Sequence, residues 1–166
     1  YLVNAPNIII KKRNIPLSNL PAMSFGSMPN DGGHLIIAKE EYLNAKRTEP
    51  KINIYIRELY GAKNFINGDS RYCIWLNDET FTDANKINFI RKRIALVKDY
   101  RLKSKREATR KLATIPYRFG EVRYKDTDSI IVPCHTSERR EYIPIGYLPS
   151  NTIIANRDGV DNENAG

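Results

Sequence analysis

Ten of the 21 residues from Arg91 to Lys111 (RKRIALVKDYRLKSKREATRK) are Lys or Arg, opposed only by Asp99 and Glu107. Ten cations less two anions give this run a net +8, equal to that of the whole 166-residue chain, so all other charges balance. Positive charge this localised suits phosphate or another anionic surface. More cations follow at Arg118, Arg123, Arg139, Arg140 and Arg157, with Tyr100, Tyr117, Phe119 and Tyr124 among them. A guanidinium can grip a phosphate, or the edge of a guanine, with two donors at once. On a helix, Arg101, Lys105, Arg106 and Arg110 would mostly repel one another. A bound polyanion relieves that cost, whereas a face left in water does not. A membrane surface fits less well, because no bulky Trp or Phe anchors stand beside the charges.

A second group of residues offers different chemistry. The segment His135 to Gly146 (HTSERREYIPIG) places Ser137, Glu138, Arg139 and Arg140 just before a strand-like stretch. Donors and acceptors mixed in this way suit base edges, where Arg reads guanine and Glu accepts from cytosine. A surface ion pair between Glu138 and Arg140 explains the same residues equally well. Catalytic constellations are not apparent. His34 and His135 are the only histidines, and Cys134 beside His135 is not a zinc-ligand spacing. Gly26, Gly32 and Gly33 in FGSMPNDGG match neither phosphate-loop pattern and read as a tight turn with positive φ. Asp126 and Asp128 in KDTDS read as a solvated hairpin tip, not as paired catalytic carboxylates.

These groups need elements to hold them. Ile87, Ile90, Ile94 and Val97 are spaced 3, 4 and 3, which puts them on one face of a helix N-capped by Thr82 or Asp83. The helix carries the basic run onward and ends before Pro116. Lys39 to Arg47 has the composition of a shorter helix. Strand signals fall at Asn7–Arg13, His34–Ala38, Lys51–Leu59 (with Ile52, Ile54 and Ile56 in alternation), Arg71–Leu76, Phe119–Tyr124, Ser129–Val132, Glu141–Ile145 and Thr152–Ala155. The class is α+β: several short, mostly antiparallel strands packed with one long basic helix and a shorter helix.

Composition bounds the rest. With 41% hydrophobic residues and 10% aromatics, the chain is a folded domain and not a disordered one. No apolar run approaches the roughly 18 to 20 residues of a membrane span. Cys73, in RYCIWL, reads as a small buried hydrophobe, and two cysteines make no disulfide framework. A reduced, cytoplasmic setting is the simplest reading. The missing initial Met suggests a piece of something longer, with residues 1–157 forming the domain and Asp158 to Gly166 a polar, flexible tail.

Four stretches occur in an order that resembles a known family: FGSMPNDGGHL (Phe25 to Leu35), NFINGDSRYCIWL (Asn64 to Leu76), RLKSKREATRKLA with IPYRFGEVR (Arg101 to Arg123), and SERREYIPIGYLP (Ser137 to Pro149). Together they resemble the target recognition domain of MmeI-like DNA methyltransferases, which include the single-chain type IIG restriction–modification enzymes. The likeness spans about residues 1 to 157. It implies a non-catalytic specificity module that binds double-stranded DNA beside the methyltransferase domain of the same parent chain. It also implies that the cofactor, S-adenosylmethionine, belongs to that other domain, where a methyl group passes to adenine N6; this fragment would hold no cofactor and no metal. Some such parents carry an endonuclease as well, and the setting is bacterial defence.

By position the resemblance makes Ser104 to Lys111 backbone-gripping and sets Ser137 to Arg140 and Ala155 to Arg157 near base edges. The phosphate contacts expected are Arg101, Lys105, Arg106, Arg110, Lys111 and Arg118. The base readers expected are Ser137, Glu138, Arg139, Arg140, Asn156 and Arg157. Two rivals predict differently. An RNA-binding module would stack bases on exposed aromatics. A scaffold domain would dock its basic helix on an acidic protein and bind no DNA.

Overall fold

The computed structural model describes residues 12, 23–135 and 137–156. The expected strand at Asn7–Arg13, the reader Arg157 and the tail from Asp158 lie outside these, Lys12 excepted. A four-stranded sheet forms the centre, made of β1 (Ile36–Ile37), β2 (Ile56–Tyr60), β3 (Arg71–Ile74) and β6 (Thr152–Ile154) in the order β1-β3-β2-β6. Its pairings are antiparallel except β2 with β6, where Leu59 stands opposite Ile153. β4 (Ser129–Ile131) and β5 (Gly146–Leu148) form a separate antiparallel ribbon. The helices are α1 (Lys39–Thr48), α2 (Ala62–Asn67), α3 (Asp78–Ala84), α4 (Asn88–Lys103) and α5 (Glu107–Lys111). This is the α+β arrangement expected from the sequence, with differences in its parts.

The core joins the sheet to α4. Leu35, Ile37, Ile52, Leu59, Ile74, Ile90, Val97 and Ile153 are fully buried. The four apolar residues spaced along α4 all face inward, Ile87 and Ile94 included. The start of α4 lacks a cap of its own, since its N-cap residue is Ile87. Instead the Glu49 carboxylate, from the far end of α1, accepts from the backbone N–H groups of Asn88 and Phe89, each at 3.0 Å. An anion there satisfies two orphan donors and complements the helix dipole.

The structure corrects several expectations. Thr82 and Asp83 lie inside α3, which Asn77 caps by a reciprocal box with Thr80. Lys51 to Tyr55 is not strand: Pro50 opens a 3-10 turn over Pro50–Tyr55, pre-set by its fixed φ, and the strand begins only at Ile56. Ile54 is accordingly exposed while Ile52 and Ile56 are buried. Phe119 to Tyr124 makes a single bridge, Met28 with Glu121, and no strand. Glu141 to Ile145 is loop, with Pro144 unable to donate to a ladder, and β5 starts at Gly146.

The long basic helix is broken. α4 ends at Lys103, Ser104 and Arg106 adopt extended backbone, and α5 restarts at Glu107 before a 3-10 turn over Leu112–Thr114. Like charges four residues apart disfavour continuity. The carbonyls opened by the break do not go unpaired: Ser104 and Lys105 both accept from Arg110 Nη1, at 2.9 and 2.8 Å.

Candidate nucleic-acid interface

Arg101 was expected on a phosphate, and the structure contradicts this. Its side chain is fully buried. Nε donates to Asn30 O (2.9 Å), Nη1 to Leu112 O (3.0 Å) and Ile115 O (2.9 Å), and Nη2 to Pro29 O (3.0 Å) and Arg118 O (2.7 Å). Five donors meet five carbonyls, which exhausts what a guanidinium can give. No hydrogen remains for DNA. Burial pulls the guanidinium's pKa down and the nearby Asp31 charge raises it. Asp31, also buried, is pushed above the usual carboxylate value by desolvation. Backbone N–H groups of Leu35 and Gly33, with the charge of Arg101, act against that rise. A signal for this was present: Arg101 continues the 3, 4, 3 spacing by four residues and so falls on the buried face of α4.

The other five expected phosphate contacts lie within one stretch, from Lys105 to Arg118. Lys105 and Arg106 are exposed at the break, and neither pairs with an acid among the described residues. Arg110 closes the break and remains exposed. Lys111 pairs with Glu107 at 2.9 Å across one turn of α5, with both side chains largely in water. Arg118 approaches Asp78 at 3.4 Å. Lys98, not singled out from the sequence, lines a cleft of about 380 Å³ with Arg110, Leu102 and Tyr117.

The turn FGSMPNDGG positions this segment and is not a phosphate cradle. Asn30, Gly32 and Gly33 have positive φ, and a Cβ on Gly32 would meet the Tyr100 ring at 2.7 Å. Asp31 ties the turn together, accepting from Gly33 N at 3.0 Å and Leu35 N at 2.5 Å. The aromatics among the cations are also occupied. Tyr117 stacks on Phe81 (4.1 Å between centroids), and Phe119 and Tyr124 meet Trp75 edge-on at 5.0 and 5.4 Å.

The expected base readers fall in two places. Ser137 to Arg140 form an exposed turn between β4 and β5. There Arg139 N donates to Ser137 Oγ (3.3 Å) and Arg140 N to Ser137 O (3.0 Å). Glu138 and Arg140 do not pair, so the ion-pair alternative left open by the sequence is not realised in the structure. Asn156 is half-buried at the end of β6, its N–H donating to Ser27 O at 3.0 Å. No hydrogen bond or ion pair among the described residues links the 137–140 turn to the basic segment. The ribbon that carries the turn is held elsewhere: Gly146 lies against Phe65, and Ser150 N donates to Asp128 at 3.0 Å. Among the described residues no group of three or more His, Cys, Asp or Glu could hold a metal, and no helix is long and apolar enough to cross a membrane.

Comparison with known proteins bears on this arrangement. The family profile "MmeI, target recognition domain" matches residues 4–161. The chain belongs to the MmeI target recognition domain family. A curated relative, DNA methyltransferase A of Bacillus subtilis (strain 168), is 39% identical over 156 residues. That alignment takes in 94% of this chain and 18% of the relative. Among solved structures, the type IIL restriction–modification enzyme MmeI in complex with DNA superposes with a TM-score of 0.81 at 35% identity, over 90% of this chain and 20% of that one. The chain thus spans about a fifth of the length of each of these two proteins.

Proposed function

We propose that this domain recognises a specific sequence in double-stranded DNA on behalf of a type IIG restriction–modification enzyme that methylates adenine N6. The observation that carries the reading is the membership in the MmeI target recognition family together with four exposed cations, Lys105, Arg106, Arg110 and Lys111, and the half-buried Arg118 close after them. That segment neutralises phosphates and sets register without reading sequence. Ser137 to Arg140, on a ribbon of their own, supply donors and acceptors to base edges, and Asn156, with Arg157 next in sequence, supplies further ones. S-adenosylmethionine and the reacting groups belong to another domain of the enzyme, where the target adenine is turned out of the duplex while this domain holds it. The setting is the bacterial cytoplasm.

The aromatics weigh against RNA. A stacking platform needs free rings; beside the basic segment Tyr117, Phe119 and Tyr124 are committed to neighbours, and the exposed tyrosine rings, Tyr142 and Tyr147, lie on the ribbon apart from it. Fluorescence anisotropy of this chain against labelled duplex DNA, single-stranded DNA and duplex RNA tests the reading. Tighter, salt-sensitive binding to duplex DNA is expected. Equal or tighter binding to RNA, or no binding to any of the three at low salt, refutes it.

A further inference from the structure

Arg101 does more than a core residue at its position requires. A leucine in register would complete the apolar stripe of α4. An arginine instead brings a buried charge, whose desolvation is costly unless every donor is met. Here all five are, and the acceptors come from two separated stretches of chain: Pro29 and Asn30 before α4, Leu112, Ile115 and Arg118 after it. The second stretch carries the basic segment. The first leads directly to the other candidate edge. Ser27 N donates to Ile154 O (2.7 Å), Asn156 N donates to Ser27 O (3.0 Å), and Met28 exchanges both backbone bonds with Glu121 (2.9 Å each). Pro29 O also accepts from Gly120 N at 3.0 Å.

We infer that Arg101 is a positioning residue: its guanidinium fixes the basic segment against the loop that seats Asn156, so that phosphate gripping and base reading keep a set separation. The inference rests on the DNA reading above and deepens it. It gives the large charge run two tasks, with one member turned inward to place the others.

The test is Arg101→Lys, which keeps the charge but offers three donors from a point in place of a planar fork. Binding to duplex DNA is titrated by anisotropy at several salt concentrations. If Arg101 places the others, the slope of log K against log salt becomes shallower by about 0.9 for each phosphate contact that is lost, and so by about 0.9 or more, although net charge is unchanged. An unchanged slope in a folded Arg101→Lys protein overturns the inference while leaving the DNA reading intact. Failure of the unsubstituted chain to bind duplex DNA overturns the DNA reading itself.

Hydrogen exchange on the unsubstituted protein covers the case in which Arg101→Lys does not fold. The amides of Ser27, Gly120, Glu121 and Asn156 should open as one unit with those of Ile115 and Arg118, before the sheet amides of Ile74 and Trp75. Independent opening of the two groups overturns the inference.

Discussion

The proposed gripping of phosphates by the basic segment can be given a number through the salt dependence of DNA binding. Six cations were expected from the sequence, and the burial of Arg101 leaves five: Lys105, Arg106, Arg110, Lys111 and Arg118. At about 0.9 per phosphate, the slope of log K against log salt is about −4.5. Raising salt from about 50 to 200 mM then weakens binding roughly 500-fold. The single variants should not be equivalent in affinity. Lys105 and Arg106 have no acidic partner to leave among the described residues, so Lys105→Ala and Arg106→Ala should each reduce the slope by about 0.9 and lose their full contribution. Lys111 and Arg118 must first release Glu107 and Asp78. Such exposed pairs are weak, so their variants show the same change in slope with a slightly smaller loss of affinity. The assay is anisotropy against one duplex at four or more salt concentrations. A wild-type slope shallower than about −2, or slopes unaltered in both Lys105→Ala and Arg106→Ala, would refute the reasoning.

Three further outcomes rest on the fold. Gly32→Ala forces a side chain into positive φ and against the Tyr100 ring, and should cost about 1 to 3 kcal/mol in urea unfolding; a cost near zero would mean the turn relaxes freely. Glu49→Ala removes the distant cap of α4 and should cost about 1 kcal/mol, seen as a Tm lower by about 2 to 4 °C; Glu49→Gln, which keeps an acceptor, should recover part of it. Burial pushes the Cys73 thiol far above its ordinary pKa while Cys134 is exposed. A thiol reagent should therefore modify one cysteine rapidly in the native protein and the second only on unfolding, and two fast equivalents would contradict the placement of Cys73.

The features legible in the sequence are those that local pattern dictates. The buried face of α4, the helix over Lys39–Arg47, the turn at Asn30 to Gly33 and the strands near Ile36, Arg71, Ser129 and Thr152 all announce themselves by period or by turn residues. The features missed depend on partners distant in the chain. Charge type argued for a surface position at Arg101, while spacing argued for the core. Spacing prevailed because five carbonyls from two other segments were available to meet the charge. The break at Ser104 has this cause besides the local like-charge repulsion, since the chain after it must fold back for Leu112, Ile115 and Arg118 to reach Arg101. Helix capping by Glu49 crosses about forty residues and leaves no local trace. The strand expected over Lys51–Leu59 failed in its first half, Lys51–Tyr55, because the alternation of Ile52, Ile54 and Ile56 gives way there to Pro50, which opens a 3-10 turn. At the candidate interface, the cations after Ser104 and the turn at Ser137 were legible as exposed residues. The separation of the two groups onto different parts of the fold was not.

The central claim is that one set of residues reads bases while another only grips the backbone. Selection from a randomised duplex library, carried out in parallel on the unsubstituted chain, Arg140→Ala and Lys105→Ala, tests it most directly. An enriched motif is expected for the first. Arg140→Ala should relax one position of it, at a cost of about 1 to 3 kcal/mol there. Lys105→Ala should keep the same motif with weaker binding throughout. A motif altered by Lys105→Ala and untouched by Arg140→Ala would contradict the account, as would the absence of any motif for the unsubstituted chain.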